Sequence, residues 1–116
     1  MLKVSLDEAY VFDLLSIYQV KIDNSLGDKK IKLLESYNTL SSEIINQIGQ
    51  KLYNNIIKSA EYNDLILSNQ NVFNLVVKAD ESELSKMTAS ANFDRYNKKI
   101  ILQNKFFENN ITEVKI

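Results

Sequence analysis

Apolar residues recur along this chain at intervals of three and four, the period of an amphipathic helix. Val11, Leu14, Leu15, Tyr18 and Ile22 make one row, and Ala9, Ile17 and Val20 make a second on another side. A helix from about Leu6 to Asp23 that is apolar on two sides belongs at the centre of a fold. Ser5 and Glu8 have the spacing of a capping box at its start. Asn24, Ser25, Leu26 and Gly27 make a turn, with Gly27 free to enter the left-handed region. Asp28 then suits the N-cap of a second helix. Its stripe runs Ile31, Leu34, Tyr37, Leu40, Ile44, Ile45, Ile48, Leu52 and Ile56 without a phase break. This predicts one long helix over Lys29–Lys58, with a break at Gly49 as the alternative.

Ser59 is the cap expected for a third helix, Ala60–Ala79, with Tyr62, Leu65, Ile66, Val72, Phe73 and Val76 inward. Asn69 falls inside that stripe and, once buried, needs a hydrogen-bond partner. Asp80, Glu81, Ser82 and Glu83 read as a polar connection. A fourth helix follows from Thr88 or Ser90 to Glu108, with Phe93, Tyr96, Ile100 and Phe107 inward, and Asn109 and Asn110 can end it. Met1–Val4 and Ile111–Ile116 alternate as strands do, and their unpaired backbone groups would be satisfied by pairing with each other. The expected fold is therefore mainly α: a four-helix domain with a short two-stranded β element formed by the N- and C-terminal segments. At 116 residues it is a single domain, 1–116, with enough chain for a core that needs neither metal nor disulfide.

Composition changes the picture mostly by exclusion. The chain has no proline, cysteine, histidine or tryptophan, and its glycines are Gly27 and Gly49. Without His or Cys the usual zinc, haem and thiolate sites fall away, as do Ser-His and Cys-His nucleophile pairs. No cofactor or metal is expected. A formal net charge of −1 offers nucleic acid and anionic membranes no field, so neither is expected as the main partner. No apolar run nears the ~20 residues of a membrane span. The first residues lack the apolar segment of a secretory signal, and absence of cysteine fits the cytoplasm.

Of the 14 basic residues, Arg95 alone is arginine. Lys, Asn and Ile are favoured by AT-rich codons, so a guanidinium kept against that bias stands out. Lys cannot copy its planar, bidentate geometry.

Two segments resemble a small family of marine phages and bacteria, a domain of unknown function. One is Lys3-Val4-Ser5 with Phe12–Lys21. The other is Asn92–Lys99 with Ile111–Lys115. Asp13, Ser16, Ile17 and Lys21 match a helix motif of the form Glu-x-x-Asp-Lys-x-Ser/Thr-Ile-x-Glu-x-Lys. Tyr10, Leu14 and Gln19 stand where Glu, Lys and Glu would be, a loss of two acids and one base that weighs against acid–base work. The resemblance spans nearly the whole chain and implies no particular activity.

Three residues are the candidate ligand-binding set: Asp13, Lys21 and Arg95. Asp13 interrupts the second apolar row, a buried carboxylate must be paired, and Arg95 is the natural partner. The plainer reading is a structural or surface ion pair. Asp80, Glu81 and Glu83 lack the Glu-Glu-x-x-Glu spacing of Mg²⁺-dependent helical pyrophosphohydrolases and read as solvated. Lys29, Lys30 and Lys32 have no glycine-rich phosphate loop beside them. The six tyrosines fall mostly on apolar stripes, and any left outside suits an oligomer interface. The expectation is a non-catalytic interaction or accessory protein, a homodimer built on helix contacts. A small-molecule or nucleotide-binding helical-bundle enzyme is the alternative, and nucleic-acid binding through the lysine clusters a weaker one.

Overall fold

The structure, a computed structural model, describes residues 6–78 and 81–107. Five helices follow in order: α1 Glu8–Asp23, α2 Gly27–Ile48, α3 Gln50–Ile57, α4 Ala60–Lys78 and α5 Glu81–Phe107. The expected four-helix count is thus corrected to five. No strand occurs among the described residues; the strands expected at 1–4 and 111–116, and Ser5 of the capping box, lie outside them. The two-stranded element therefore has no support in the structure.

The extra helix comes from Gly49. Its φ of 90° and ψ of 155° lie in a region that essentially only glycine enters. The expected continuous helix therefore breaks, and the alternative holds. The Gly49 amide still donates to the Ile45 carbonyl at 2.8 Å, and the Tyr53 amide donates to the Gly49 carbonyl at 3.1 Å. Backbone bonds bracket a one-residue break, which is why the apolar spacing crosses it without a phase change.

Other boundaries shifted for local reasons. Leu26, not Asp28, is the N-cap of α2, because Gly27 turns the chain with a φ of 63°. Ser59 caps α4 as expected: the Tyr62 amide donates to Ser59 Oγ at 3.1 Å. α5 starts at Glu81 rather than at Thr88, so the expected polar connection is mostly helix.

α1 is central and packs against α2, α4 and α5, while α4 and α5 lie side by side. Phe12, unnoticed in the sequence, is the hub of the core. Its ring centroid lies 6.0 Å from that of Tyr62, edge-on, 6.3 Å from Tyr53 and 6.4 Å from Phe107. Ala9, Leu15, Ile56, Leu65 and Leu102 complete the fully buried set. Phe93, expected inward, is 53% exposed, and Val76, Ile31 and Leu34 also face water.

The start of α1 is satisfied from across the fold. Asp7 is the N-cap but its side chain makes no cap bond. Instead the fully buried Gln103 of α5 accepts from the Ala9 amide at 2.8 Å and donates to Glu8 Oε2 at 2.7 Å. A first-turn amide that needs an acceptor finds it in a residue 94 positions away.

Candidate functional site

Three helices meet at one buried polar cluster. Asp13 comes from α1, Asn69 from α4 and Arg95 from α5. Asp13 sits in the α1 row that faces α4 and is 3% exposed, so its carboxylate depends on protein groups for the solvation it has lost. Asn69 Nδ2 donates to Asp13 Oδ1 at 2.9 Å and to Ser16 Oγ at 2.7 Å. Ser16 in turn donates to the Asp13 carbonyl at 2.7 Å, one turn back along α1. The Nε of Arg95 lies 3.8 Å from Asp13 Oδ2, and its Nη1 donates to Asn69 Oδ1 at 3.4 Å. Every side-chain polar atom of Asn69 is therefore engaged, and the carboxylate holds one short hydrogen bond and one longer ionic contact.

The seam continues along α4 and α5. Ser68 donates to Asp94 Oδ2, and Asp94 lies 3.9 Å from Lys98 one turn on. Lys99 is buried with its Nζ 5.6 Å from the Tyr10 ring centroid and 5.8 Å from that of Tyr96. A buried ammonium facing two aromatic rings is favoured electrostatically.

Two of the three candidate residues thus come together, and Lys21 does not join them. It is exposed, eight residues beyond Asp13 and about 12 Å further along the axis. The cluster's other members were readable only in part. Asn69 announced itself as an amide inside an apolar stripe, and Ser16 as a hydroxyl one turn from the carboxylate. Nothing in the sequence says that all of them share one junction.

The tyrosines form a second polar group inside the core. Tyr53 and Ser41 share a hydroxyl hydrogen bond of 2.6 Å. Burial pushes the Tyr37 hydroxyl up to about 12, with the neighbouring Tyr53 adding to the effect. Burial pushes Tyr62 higher still, with Tyr37, Tyr53 and Asp13 adding to it. The Tyr62 hydroxyl is buried and has no hydrogen-bond partner among the described residues.

A groove of about 510 Å³ opens between the start of α1 and the C-terminal half of α2. Its apolar walls come from Leu6, Val11, Phe12, Leu40, Ile44 and Ile48, and its polar ones from Glu8, Glu43 and Gln47. None of these residues is a cation. Among the described residues no group of three acidic side chains is placed to hold a metal ion; Asp80 lies outside them. No helix among them is long and apolar enough to cross a membrane. No protein-family model, curated protein or solved structure matches the chain.

Proposed function

We propose that this chain is a non-catalytic interaction or accessory protein that acts as a homo-oligomer, in its simplest form a homodimer. The supporting observation is the N-terminal half of α2. Leu26 is 86% exposed, Ile31 55% and Leu34 40%. Single exposed apolar residues are ordinary, but three within nine positions of one helix make a surface that gains by being covered. The net charge of −1 sets little repulsion against self-association. Sedimentation velocity from 1 to 100 µM tests the reading at concentrations typical of such measurements, ~10⁻⁶–10⁻⁴ M. A mass that rises to twice the monomer supports it, and a monomer throughout overturns it.

The Asp13–Asn69–Arg95 junction favours a second reading, a site for a small anionic ligand. Arg95 keeps 28% of its side chain exposed. A carboxylate or phosphate would meet the exposed part of the guanidinium. The cluster also makes sense without a ligand, as a device that locks three helices in register. A thermal-shift screen with nucleotides, sugar phosphates, dicarboxylates and Mg²⁺ separates the two, since a ligand of the native state raises the melting temperature. A hit that Arg95→Lys abolishes, with the unliganded melting temperature unchanged, assigns the site. A lowered melting temperature in Arg95→Lys with no hit assigns the lock.

A further inference from the structure

The groove between α1 and α2 lies where the chain enters α1. Asp7, the N-cap, has a φ of −63° and a ψ of 143°, so the backbone is extended as it meets the helix. Leu6 precedes the cap, Val11 is the fourth residue of the helix, and both line the groove. Apolar residues at that spacing form a hydrophobic staple, which fixes the angle at which the chain arrives. Leu6 is nonetheless 52% exposed, so half of the staple is uncovered. The α2 wall of the groove runs from Leu40 to Ile48, about 12 Å at ~1.5 Å per residue. The groove is apolar, with carboxylates at Glu8 and Glu43 and no cation among its lining residues.

Residues 1–5, Met-Leu-Lys-Val-Ser, lie outside the described residues and lead directly into Leu6. We propose that the groove is the docking site of this segment of the same chain, with Leu2 and Val4 covering Ile44 and Ile48. Leu2, Val4 and Leu6 are two residues apart, the period at which an extended chain sets side chains on one side. With Leu6 in the groove, that period directs Val4 and Leu2 the same way. Five residues span at most ~17 Å, enough for the length of the α2 wall. Lys3 is the only charged side chain of the segment, opposite in sign to Glu8 and Glu43, and a lysine stem is long enough to carry its charge to the rim. The other segment outside the described residues that could compete, 108–116, sets Glu108 and Glu113 against Lys115 and would bring net negative charge to an acidic rim. The cover belongs to one chain, so it stands apart from the self-association proposed above.

Methyl NOE spectra of the full chain test this without any substitution. The Leu2 and Val4 methyls should show cross-peaks to those of Leu40, Ile44 or Ile48. Cross-peaks to the groove from Ile111, Val114 or Ile116 instead, or from no segment, overturn the proposal. The chain has no cysteine, so a pair of introduced thiols reports position cleanly. Lys3→Cys with Gln47→Cys, an exposed residue lining the groove, should close a disulfide within the chain about tenfold faster, or more, than Lys3→Cys with Asn104→Cys. Asn104 is also exposed and follows Gln103, which bonds the Ala9 amide, so an undocked segment reaches both sites. Equal rates, or a disulfide formed mainly between two chains, overturn the proposal. In circular dichroism melts, Leu2→Ser with Val4→Ser should lower the melting temperature by roughly 5–10 °C, whereas Lys3→Ser shifts it by less than about 2 °C. A double variant that melts with the wild type overturns the cover.

Discussion

Replacing Asn69 by leucine removes the centre of the buried cluster while keeping its branched outline. The variant loses the 2.9 Å bond to the Asp13 carboxylate, the 2.7 Å bond to Ser16 and the 3.4 Å bond from Arg95. A buried hydrogen bond to a charged group contributes about 1.5–3 kcal/mol, and a neutral one about 0.5–1.5 kcal/mol. The long bond to a partly exposed guanidinium adds little. The extra apolar surface of leucine returns at most about 1 kcal/mol. The net cost is about 2–3 kcal/mol. Urea unfolding should show a midpoint lower by roughly 1–2 M, given a slope of about 1.5 kcal/mol/M for a domain of this size. The sharper expectation is non-additivity. Asp13→Leu and Arg95→Met added to Asn69→Leu leave the junction no charge and no carboxylate short of partners, with the Ser16 hydroxyl still bonded to the backbone carbonyl of residue 13. That triple variant should be more stable than Asn69→Leu alone. A loss below about 0.5 kcal/mol for the single change, or a triple variant equal to the sum of three separate losses, would refute the view that these groups act as one satisfied network.

Gly49→Ala should cost about 1–3 kcal/mol through the backbone alone. The added Cβ meets no atom within 4 Å, so a chemical-denaturation difference near zero counts against the positive φ. Tyr62→Phe removes a buried hydroxyl that has no partner among the described residues and should be neutral or stabilising by up to about 1 kcal/mol. Tyr53→Phe, which gives up the bond to Ser41, should lose about 0.5–1.5 kcal/mol; the reverse order in thermal melts sinks the comparison. Alkaline pH should unfold the chain in a defined window. The folded state holds Tyr37 neutral up to about 12, against an ordinary value of 10.0, and Tyr62 is raised further. Above pH ~10 the unfolded chain has released protons that the native state keeps, so stability falls as pH rises from there. Stability constant from pH 9 to 12 in urea titrations contradicts this, since ordinary tyrosine ionisation is centred at ~10.

The helical character of this chain is written in its sequence, because a 3.6-residue period is a property of neighbours along the chain. The same holds for the Ser59 cap, whose hydroxyl reaches an amide three residues on, and for the turn at Gly27. It holds in part for the junction: a carboxylate and an amide set in apolar stripes state a need for partners, and the lone arginine is a natural one. Local pattern did not decide which amide would stand between them, because the sequence separations of 56 and 26 residues are closed only when three helices pack. Gly49 shows the limit from the other side. Its neighbours keep phase, so no spacing reveals that the backbone takes a φ of 90° there; the packing of α3 selects that conformation. Gln103 completing the first turn of α1, Phe12 as hub of the core, and Ile31 and Leu34 left in water are likewise products of packing. An apolar face is fixed by the order of residues, but what covers it is settled by the shape of everything else.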